Sequence, residues 1–592
     1  MNNSPIESSW LNLRRWRGWR ALLGGIAATW IGALSCAAMA VGTPDLSSKL
    51  DPALVSALAQ KSVDTRVQVL IEPQRATADD FVDGGGRAAS GTAAGSRRSA
   101  QAAQRRSRQS QHRSNLSPFV GSAPAALDPT YGIRQSAVKA TPTGPWASRE
   151  QRLQAVYAAL ADTARRSQQG IRQWLDQAKL PYRAFSVVNA IAAELTLAQL
   201  AEVAGREDVA YVAVDPVVHN SLPEIAAAKD ACGGAGAIPW GVSRVHADAL
   251  WAMGFRGQGV IVAGQDTGYH WTHPALIGQY LGNGTPADHN YHWHDAIHAL
   301  INGGSNSCGL NLLAPCDDDP LNPGHGTHTM GTMAGEDDVA GVTVGVAPGA
   351  KWIGCRNMEA GDGKPSTYLE CFDWFLAPTD LAGNHPDPTR APHVINNSWG
   401  CPISEGCTSA NWDLLDTAMS NLTAAGLLVV ASAGNSGLGC GTVQDPPAMF
   451  ASAFSVGASG SSVNNAMAGF SSRGPVTVDG SHRLKPDITA PGVSVCSSIR
   501  GTGYSNAFSG TSMAGPHVAG VAALLMSAFP TLKNDPPALR ALLTQTALPL
   551  PQTQTCGGIP GSAQPNPVSG WGLIDALAAF LQFDPLFVTS FE

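Results

Sequence analysis

Three short motifs in this 592-residue chain contain an acid, a base and a nucleophile. Asp266 lies in DTG, His325 in GHGTH and Ser512 in GTSMAGPH. A serine hydroxyl is a poor nucleophile at neutral pH, so it needs an adjacent base. The base in turn needs an acid that fixes its tautomer and stabilises the imidazolium. Together the three residues predict nucleophilic catalysis.

A fourth motif could stabilise the negative charge that such a reaction develops. Asn435 lies in AGNSG, directly after the apolar run Leu427–Ala431. Its amide can donate a hydrogen bond to an oxyanion beside the Ser512 backbone N–H. Ser512 enters a long apolar helical pattern, and a helix N-terminus would add a positive dipole end. Any of these residues alone is more often a turn residue or a cap, so the argument rests on all four.

The motifs, in this order, resemble those of the subtilisin family of serine proteases. The resemblance covers about residues 238–583 and includes DTG, HGTHTMGTMAG, NNSWG, SAGNSG and GTSMAGPHVAG. The stretch 351–400, with WFLAP and NNSWG, is similar to the bacillopeptidase F branch of that family. The implied activity is hydrolysis of peptide bonds by a secreted serine endopeptidase.

The family resemblance implies a role for each candidate site residue. Asp266 would orient His325, which would act first as general base and then as general acid. Ser512 would be the acylated nucleophile, and Asn435 would donate to the oxyanion. The substrate-binding segment would be Ser398, Trp399 and Gly400, which would pair with an extended polypeptide by strand addition.

Other polar residues have two interpretations each. Asp317–Asp319 could bind a structural calcium ion, although a solvated acidic loop gives the same sequence. Gln444-Asp445, near the expected specificity pocket, could favour basic side chains or form an Asp-Pro turn. The resemblance implies no cofactor for the chemistry itself. It also implies that the remaining histidines of these motifs are structural, namely His273, His328 and His517.

The elements that must position these residues have an α/β pattern. From Ile238 onward, continuous apolar runs such as Ile261–Ala263 and Val394–Asn397 alternate with glycine-rich turns and helical patterns. Continuous rather than alternating apolar strands indicate a doubly wound, mostly parallel central sheet with helices on both faces. Ligands bind such sheets at the carboxyl ends of the strands, where the polar motifs lie.

The chain before this region has a different organisation. Its strand and helix patterns follow the order β-α-β-β-α-β, which predicts a small α+β split-βαβ domain. Residues 74–148 interrupt it with an Ala-, Gly-, Ser-, Gln- and Arg-rich insertion, for which we expect disorder. A nucleic-acid or membrane patch is the alternative, but no aromatic residue interleaves the arginines to stack bases. The resemblance makes residues 41–235 an inhibitory and folding prosegment and 236–583 the catalytic domain, with 584–592 as a tail.

Charge is distributed unevenly along the chain. Residues 1–239 contain 26 Lys and Arg against 19 Asp and Glu, whereas residues 240–592 contain 12 against 26. Two modules of opposite charge could attract each other, and salt would weaken that attraction. The apolar content of 44% is enough for a large core, and it excludes wholesale disorder.

The N-terminus has the layout of a secretory signal peptide. Arg14, Arg15, Arg17 and Arg20 precede an apolar run from Ala21 to Val41, which ends in the small-x-small signal Ala38-Met39-Ala40. We therefore expect cleavage after Ala40 and a secreted or periplasmic product. An uncleaved membrane anchor is one alternative. A twin-arginine signal at Arg14-Arg15 is another, although the residues after the pair fit that signal poorly.

Cysteine usage agrees with export. Besides Cys36 in the signal, ten cysteines remain, which allows up to five disulfides. The likeliest local pairs are Cys401/Cys407 and Cys308/Cys316. The sequence contains no Cys-x-x-Cys motif, so it gives no indication of a zinc site.

Three functions compete. The first is a secreted endopeptidase made as a self-processing precursor, with its own prosegment as intramolecular inhibitor. The second is a narrow-specificity processing protease, and the third is a non-catalytic peptide-binding protein of the same fold. In each case we expect a monomer that binds polypeptides, does not bind nucleic acid and keeps no membrane span after signal removal.

Overall fold

The structure of the chain is a computed structural model. It describes residues 48–58, 65–74, 146, 148–220, 232, 234–301, 306–319, 323–460, 466–550 and 552–584. The predicted signal peptide, nearly all of the predicted insertion at 74–148 and most of the tail at 584–592 lie outside the described residues.

A small four-stranded sheet forms the first part of the structure. Its strands are β1 (Arg66–Pro73), β2 (Tyr182–Phe185), β3 (Ala190–Thr196) and β4 (Val209–Val214). Its helices are α1 (Pro52–Leu58), α2 (Arg149–Ser167), α3 (Gln169–Gln177) and α4 (Leu197–Ala204). The strand order is β2-β3-β1-β4, with antiparallel neighbours throughout. This is the split-βαβ arrangement that the sequence predicts, and these strands and helices are called the small domain below.

Local sequence explains the junction between β3 and α4. The Thr196 hydroxyl accepts a hydrogen bond from the Gln199 N–H, and the Gln199 side chain accepts one from the Thr196 N–H. This reciprocal capping satisfies two N–H groups that the first helical turn leaves unpaired. The chain then leaves the small domain through β5 (Val218–His219).

A large parallel sheet forms the second part. Its strands, with the short strands between them, are β6 (Ile261–Asp266), β7 (Trp293–Asp295), β8 (Glu336–Asp337), β9 (Val342–Thr343), β10 (Lys351–Arg356), β11 (Met358–Glu359), β12 (Asp362–Gly363), β13 (Val394–Asn397), β14 (Leu428–Ser432), β15 (Phe454–Ser459), β16 (Ile488–Pro491), β17 (Val495–Ser498) and β18 (Tyr504–Phe508). Seven of them form one sheet in the order β16-β15-β14-β13-β6-β10-β7, and every neighbouring pair is parallel.

Helices cover both faces of this sheet. They are α5 (Trp240–Arg244), α6 (Ala247–Ala252), α7 (Pro274–Ile277), α8 (His325–Ala334), α9 (Pro365–Leu376), α10 (Ser409–Ala425), α11 (Thr511–Ala528), α12 (Pro536–Gln545) and α13 (Ala576–Phe583). Val262 packs in the cluster that contains α8 and α11, whereas its neighbour Ala263 packs in the cluster with α9 and α10. Burial on both sides explains why the strands are continuously apolar. The predicted doubly wound fold is confirmed.

The second part of the structure, built around the seven-stranded parallel sheet, is called the large domain below. Helix α11 crosses its centre. Every residue from Thr511 to Met526 is buried. A helix that is apolar all round is stable only inside a protein. The core therefore fixes the N-terminus of α11 at the carboxyl edge of the sheet, where Ser512 lies.

The small domain packs directly on α9 and α10. Leu153 and Val187 belong to the same apolar cluster as Phe372 of α9 and Leu415 of α10. The Asp373 carboxylate accepts the backbone N–H groups of Ser186 at 2.7 Å and Val187 at 2.5 Å. The contact therefore combines apolar packing with hydrogen bonds from two backbone N–H groups to a carboxylate.

Basic residues of α2 bind backbone carbonyls of the large domain. Arg149 donates to the carbonyl oxygens of Ala391 and Pro392, and Arg152 donates to that of Ala424 at 2.6 Å. Burial is the main cause that lowers the pKa of Arg149, to about 10. Part of the positive charge of the N-terminal half therefore contributes to the docking of the small domain on the large domain.

Five disulfides join ten cysteines. The two predicted local pairs, Cys401–Cys407 and Cys308–Cys316, are confirmed. The other three bonds are Cys232–Cys496, Cys355–Cys371 and Cys440–Cys556. The first of these links residue 232 to the large domain.

None of the helices in the described part of the chain has both the length and the apolar character that crossing a bilayer requires.

Candidate active site

The acid of the predicted site is the last residue of β6, at the carboxyl end of a strand inside the parallel sheet. Asp266 is 1% exposed. Its Oδ1 accepts the Thr267 N–H at 2.8 Å, and its Oδ2 accepts the Thr329 hydroxyl at 3.2 Å. A buried carboxylate is stable only when such donors satisfy it. These bonds fix its orientation towards α8.

The predicted base opens α8 and faces this carboxylate. His325 Nδ1 lies 2.7 Å from Asp266 Oδ1, and both side chains are buried. Because the carboxylate accepts the Nδ1 proton, Nε2 is the nitrogen left to accept a proton. Within the described residues Nε2 has no hydrogen-bond partner. The structure thus gives the imidazole the tautomer of a general base.

The charge balance around His325 favours its protonated form. Burial is the largest influence and lowers the pKa of His325. The Asp266 carboxylate, through its charge and hydrogen bond, and then Asp319 and Asp317 raise it by more, so the net shift is upward. A base with a raised pKa remains protonated to a higher pH than an ordinary histidine.

The acidic run before His325 caps the start of α8. Asp317 Oδ2 accepts the Thr327 N–H at 2.9 Å, and Asp319 Oδ2 accepts the His325 N–H at 3.2 Å. Asp318 pairs with the buried Arg356. The expectation of a solvated acidic loop is therefore wrong, because all three carboxylates are buried at 3% exposure or less. Negative charge at a helix N-terminus is favourable, and these acids satisfy its unpaired N–H groups.

Two glycines allow the acid and base loops to touch. A Cβ at Gly326 would collide with the Gly268 carbonyl oxygen. Gly268 has φ +104°, and a Cβ there would collide with the Cys316 carbonyl oxygen. A larger residue at either position would separate Asp266 from His325. Both motifs therefore require glycine for steric reasons.

The predicted nucleophile is the second residue of α11. Ser512 is 6% exposed and lines the cleft described below. Helices α8 and α11 pack against each other, so the same core contact carries both His325 and Ser512. No hydrogen bond joins His325 Nε2 to Ser512 in the structure. Catalytic hydrogen bonds often shorten only when substrate binds.

Asn435 contacts the same helix end. Its Oδ1 accepts both the backbone N–H and the hydroxyl of Thr511, each at 2.9 Å. Its Nδ2 is then the part of the amide available to donate. The structure therefore brings Asn435 to the residue before Ser512, where a donor to an oxyanion would have to lie.

A surface cleft joins these residues to the predicted substrate-binding segment. Its lining includes Ser398, Trp399, Gly400, Asn435 and Ser512. Trp399 is fixed by stacking on Tyr368, with ring centroids 3.9 Å apart. All the residues predicted for substrate binding thus lie in one cleft with the nucleophile.

Residues 218–220 of the chain form part of the lining of the cleft. Strand β5 pairs antiparallel with β12, with His219 opposite Asp362 and Val218 opposite Gly363. Asn220 follows, and its N–H donates to the Gly361 carbonyl oxygen at 3.0 Å. Its side-chain amide donates to the Ser398 carbonyl oxygen, also at 3.0 Å.

Sequence reasoning missed the strand that pairs with this segment. The prediction named only Ser398–Gly400, but the backbone pairing of β5 is with Asp362–Gly363. The signal was the Ala360-Gly361-Asp362-Gly363 turn that follows a buried strand. Glycines beside a strand end often mark close approach of another backbone.

The other histidines of the motifs have structural contacts, as the resemblance implied. His328 Nε2 donates to the Val495 carbonyl oxygen, His517 Nδ1 to that of Met513, and His273 Nε2 to that of Gly503. Burial lowers the pKa of His328 to about 3 and that of His517 to about 4. Both are neutral at ordinary pH.

Asp445 lies in the lining of the cleft. Burial, and then the charge of Glu405, raise its pKa to about 6. The described residues contain no group of three or more His, Cys, Asp or Glu arranged to hold a metal ion.

Comparison with known proteins agrees with this fold. Residues 257–572 match the model of the Subtilase family. Since this is more than half of the chain, the chain belongs to the subtilase family. Its class is therefore that of the serine-type endopeptidases, whose chemistry requires no cofactor.

Individual relatives give the same result. The chain is 35% identical to bacillopeptidase F of Bacillus subtilis (strain 168) over 453 residues, which are 72% of this chain and 28% of that protein. It is 32% identical to subtilisin E of the same organism over 354 residues, or 59% of this chain and 74% of subtilisin E. Subtilisin Savinase of Lederbergia lenta is 36% identical over 322 residues, or 54% of this chain and 95% of Savinase. The chain thus matches under a third of the length of bacillopeptidase F.

We predict that Asn435→Asp lowers kcat by about 10²–10³ with little change in KM. The carboxylate keeps both acceptor contacts to Thr511 but cannot donate to an oxyanion. Steady-state kinetics on a peptide substrate measure the effect. The exposed Asn283→Asp provides a matched control, for which kcat should stay within about twofold. An unchanged kcat in Asn435→Asp would contradict the donor role.

We predict that Asp319→Asn moves the acid limb of the pH profile of kcat/KM to lower pH. The amide still accepts the His325 N–H, but the charge of Asp319, which adds to the larger effect of Asp266 in raising the pKa of His325, is lost. The neutral base then persists to lower pH. Asp338→Asn, an exposed change of equal charge, should leave the limb in place. A limb that stays or moves upward in Asp319→Asn would exclude this electrostatic role.

Proposed function

We propose that this subtilase hydrolyses peptide bonds through an acyl-enzyme on Ser512. The observation that carries the proposal is the buried Asp266–His325 contact of 2.7 Å, which leaves Nε2 as the accepting nitrogen. The proposal is supported by the packing of α8, which begins at His325, against α11, whose Ser512 lines the cleft together with Asn435. These four residues form the proposed catalytic machinery.

The proposed reaction has two halves. Ser512 Oγ attacks the substrate carbonyl carbon while His325 Nε2 takes the hydroxyl proton. The oxyanion accepts hydrogen bonds from Asn435 Nδ2 and the Ser512 N–H. Collapse breaks the C–N bond, and His325 gives its proton to the leaving amine. A water molecule, deprotonated by His325, then cleaves the ester and frees Ser512.

We infer that the chain is a self-processing precursor and that the small domain is its prosegment. Two features support this. The small domain docks on α9 and α10 of the large domain, and residues 218–220 lie in the cleft. The segment runs from Gly363 past Gly361 towards Ser398, whose hydroxyl donates to the Ser512 carbonyl oxygen at 3.4 Å. A segment held in this way would block other substrates and would direct the chain that follows it to Ser512 for cleavage.

The Cys232–Cys496 disulfide restricts where that cut can fall. A cut after residue 232 would leave the small domain covalently tied to the large domain. A cut between 221 and 231 would keep Cys232 with the large domain and let the small domain leave without reduction. We therefore propose a maturation boundary inside 221–231, slightly before the boundary of 235/236 expected from the sequence.

We further propose export from the cytoplasm through residues 1–40, to a secreted or periplasmic location. The five disulfides support this, because such bonds persist in oxidising compartments. The mature enzyme would act as a monomer on polypeptides.

The test of the nucleophile is covalent labelling. We predict that a fluorophosphonate labels Ser512 in the protein that was expressed as the full chain and left to process itself, as located by peptide mass mapping. Ser512→Ala should lose the label, and its rate of peptide hydrolysis should fall by about 10⁶. Ser527→Ala, at the other end of α11, should keep both. A wild-type chain that neither reacts nor hydrolyses peptides would refute the proposed function.

A further inference from the structure

His219 lines the cleft, and its side chain is held by the carboxylate of Asp362 in β12. His219 Nδ1 lies 2.7 Å from Asp362 Oδ1. The His219 side chain is 65% exposed, whereas that of Asp362 is 8% exposed. A buried carboxylate of the large domain thus faces an accessible side chain of the segment that lines the cleft.

Asp362 has unused capacity to accept hydrogen bonds. Its Oδ2 is buried and has no hydrogen-bond partner among the described residues. A buried carboxylate oxygen without a donor is costly. The guanidinium of an arginine or the ammonium of a lysine carries more donors than an imidazole and could serve both oxygens. The site is therefore suited to a cation.

A second carboxylate lies beside the first. Glu405 Oε2 accepts the backbone N–H of His219 at 2.7 Å, and Glu405 lines the cleft. The hydrogen bond to Asp362 and its charge are the main causes that raise the pKa of His219, and Glu405 adds to them. Both acids favour positive charge at this position. The contact with the His219 backbone does not depend on which side chain is present.

We propose that Asp362, assisted by Glu405, is a specificity-determining residue that selects a cationic side chain at the substrate position occupied by His219. The preferred substrates are peptides with arginine, lysine or protonated histidine at that position. This inference rests on the proposed peptidase function and deepens it.

The experiment uses internally quenched peptides that copy residues 214–230, with His219 replaced by Lys, Arg, Gln or Glu. The protein, expressed as the full chain and left to process itself, should cleave the Lys and Arg peptides about three- to tenfold faster in kcat/KM than the Gln peptide. The Glu peptide should be slowest. The His peptide should be fast at pH 6 and approach the Gln peptide at pH 9, because only the imidazolium carries charge.

The variant Asp362→Asn tests whether this acid causes the preference. The amide has nearly the same shape, and the Lys, Arg and Gln peptides should then differ by less than about twofold. The exposed Asp338→Asn changes the net charge equally and should keep the wild-type ratios. Equal rates for the Lys and Gln peptides in the wild type would overturn the proposal, as would an undiminished preference in Asp362→Asn.

A second measurement separates failure of this proposal from failure of the peptidase function. In the full chain with Ser512→Ala, the ¹³C-labelled imidazole of His219 is titrated by NMR and identified by its absence in His219→Gln. Its pKa should lie above the ordinary histidine value and fall when Asp362→Asn is added. If peptides are not cleaved but this shift occurs, the peptidase function fails and the cation subsite stands. A pKa that Asp362→Asn does not change would refute the subsite.

Discussion

The contact between Asp266 and His325 is the interaction on which the rest of the site depends. Both side chains are buried, and a buried charge is stable only when it is paired and hydrogen-bonded. The parallel sheet supplies the carboxylate at the end of β6, and α8 supplies the imidazole at its first residue. Glycines 268 and 326 allow the two loops to touch. The acids before α8 both cap the helix and set the charge around its first residue.

The large domain joins this pair to its substrate through elements distant in sequence. The buried helix α11 carries Ser512 to the carboxyl edge of the sheet, and Asn435 contacts the residue before it. One wall of the cleft comes from the loop around Ser398, and the segment that also lines the cleft pairs with Asp362 and Gly363. In the proposed precursor the chain occupies its own cleft, so the segment 218–220 also displays how a peptide would lie there.

Much of this could be predicted from the sequence, because the chemistry is concentrated in short motifs. The motifs around Asp266, His325, Ser512 and Asn435 predicted the candidate site, and apolar runs predicted the parallel sheet. The order of strand and helix patterns in the first part of the chain predicted the small domain. The short sequence separation within two cysteine pairs also predicted two of the disulfides.

What escaped prediction depends on contacts between distant residues. Composition alone suggested that Asp317–Asp319 is solvated, but the fold buries it because α8 needs acceptors at its N-terminus. The Cys232–Cys496 bond joins residues 264 positions apart, and no local pattern selects that pair. The pairing of Asp362 with His219 arises only when the small domain docks and its last strand enters the cleft.

The central claim is that Ser512 cuts this chain's own segment after it has been held in the cleft. Intact mass of the purified product, without and with reduction, tests it most directly for wild type beside Ser512→Ala. The account predicts a wild-type large fragment that begins between residues 222 and 232 and separates from the small domain without reduction. It predicts that Ser512→Ala stays uncut at that segment. Identical cutting of both proteins there would contradict the account, because another protease would then perform the maturation.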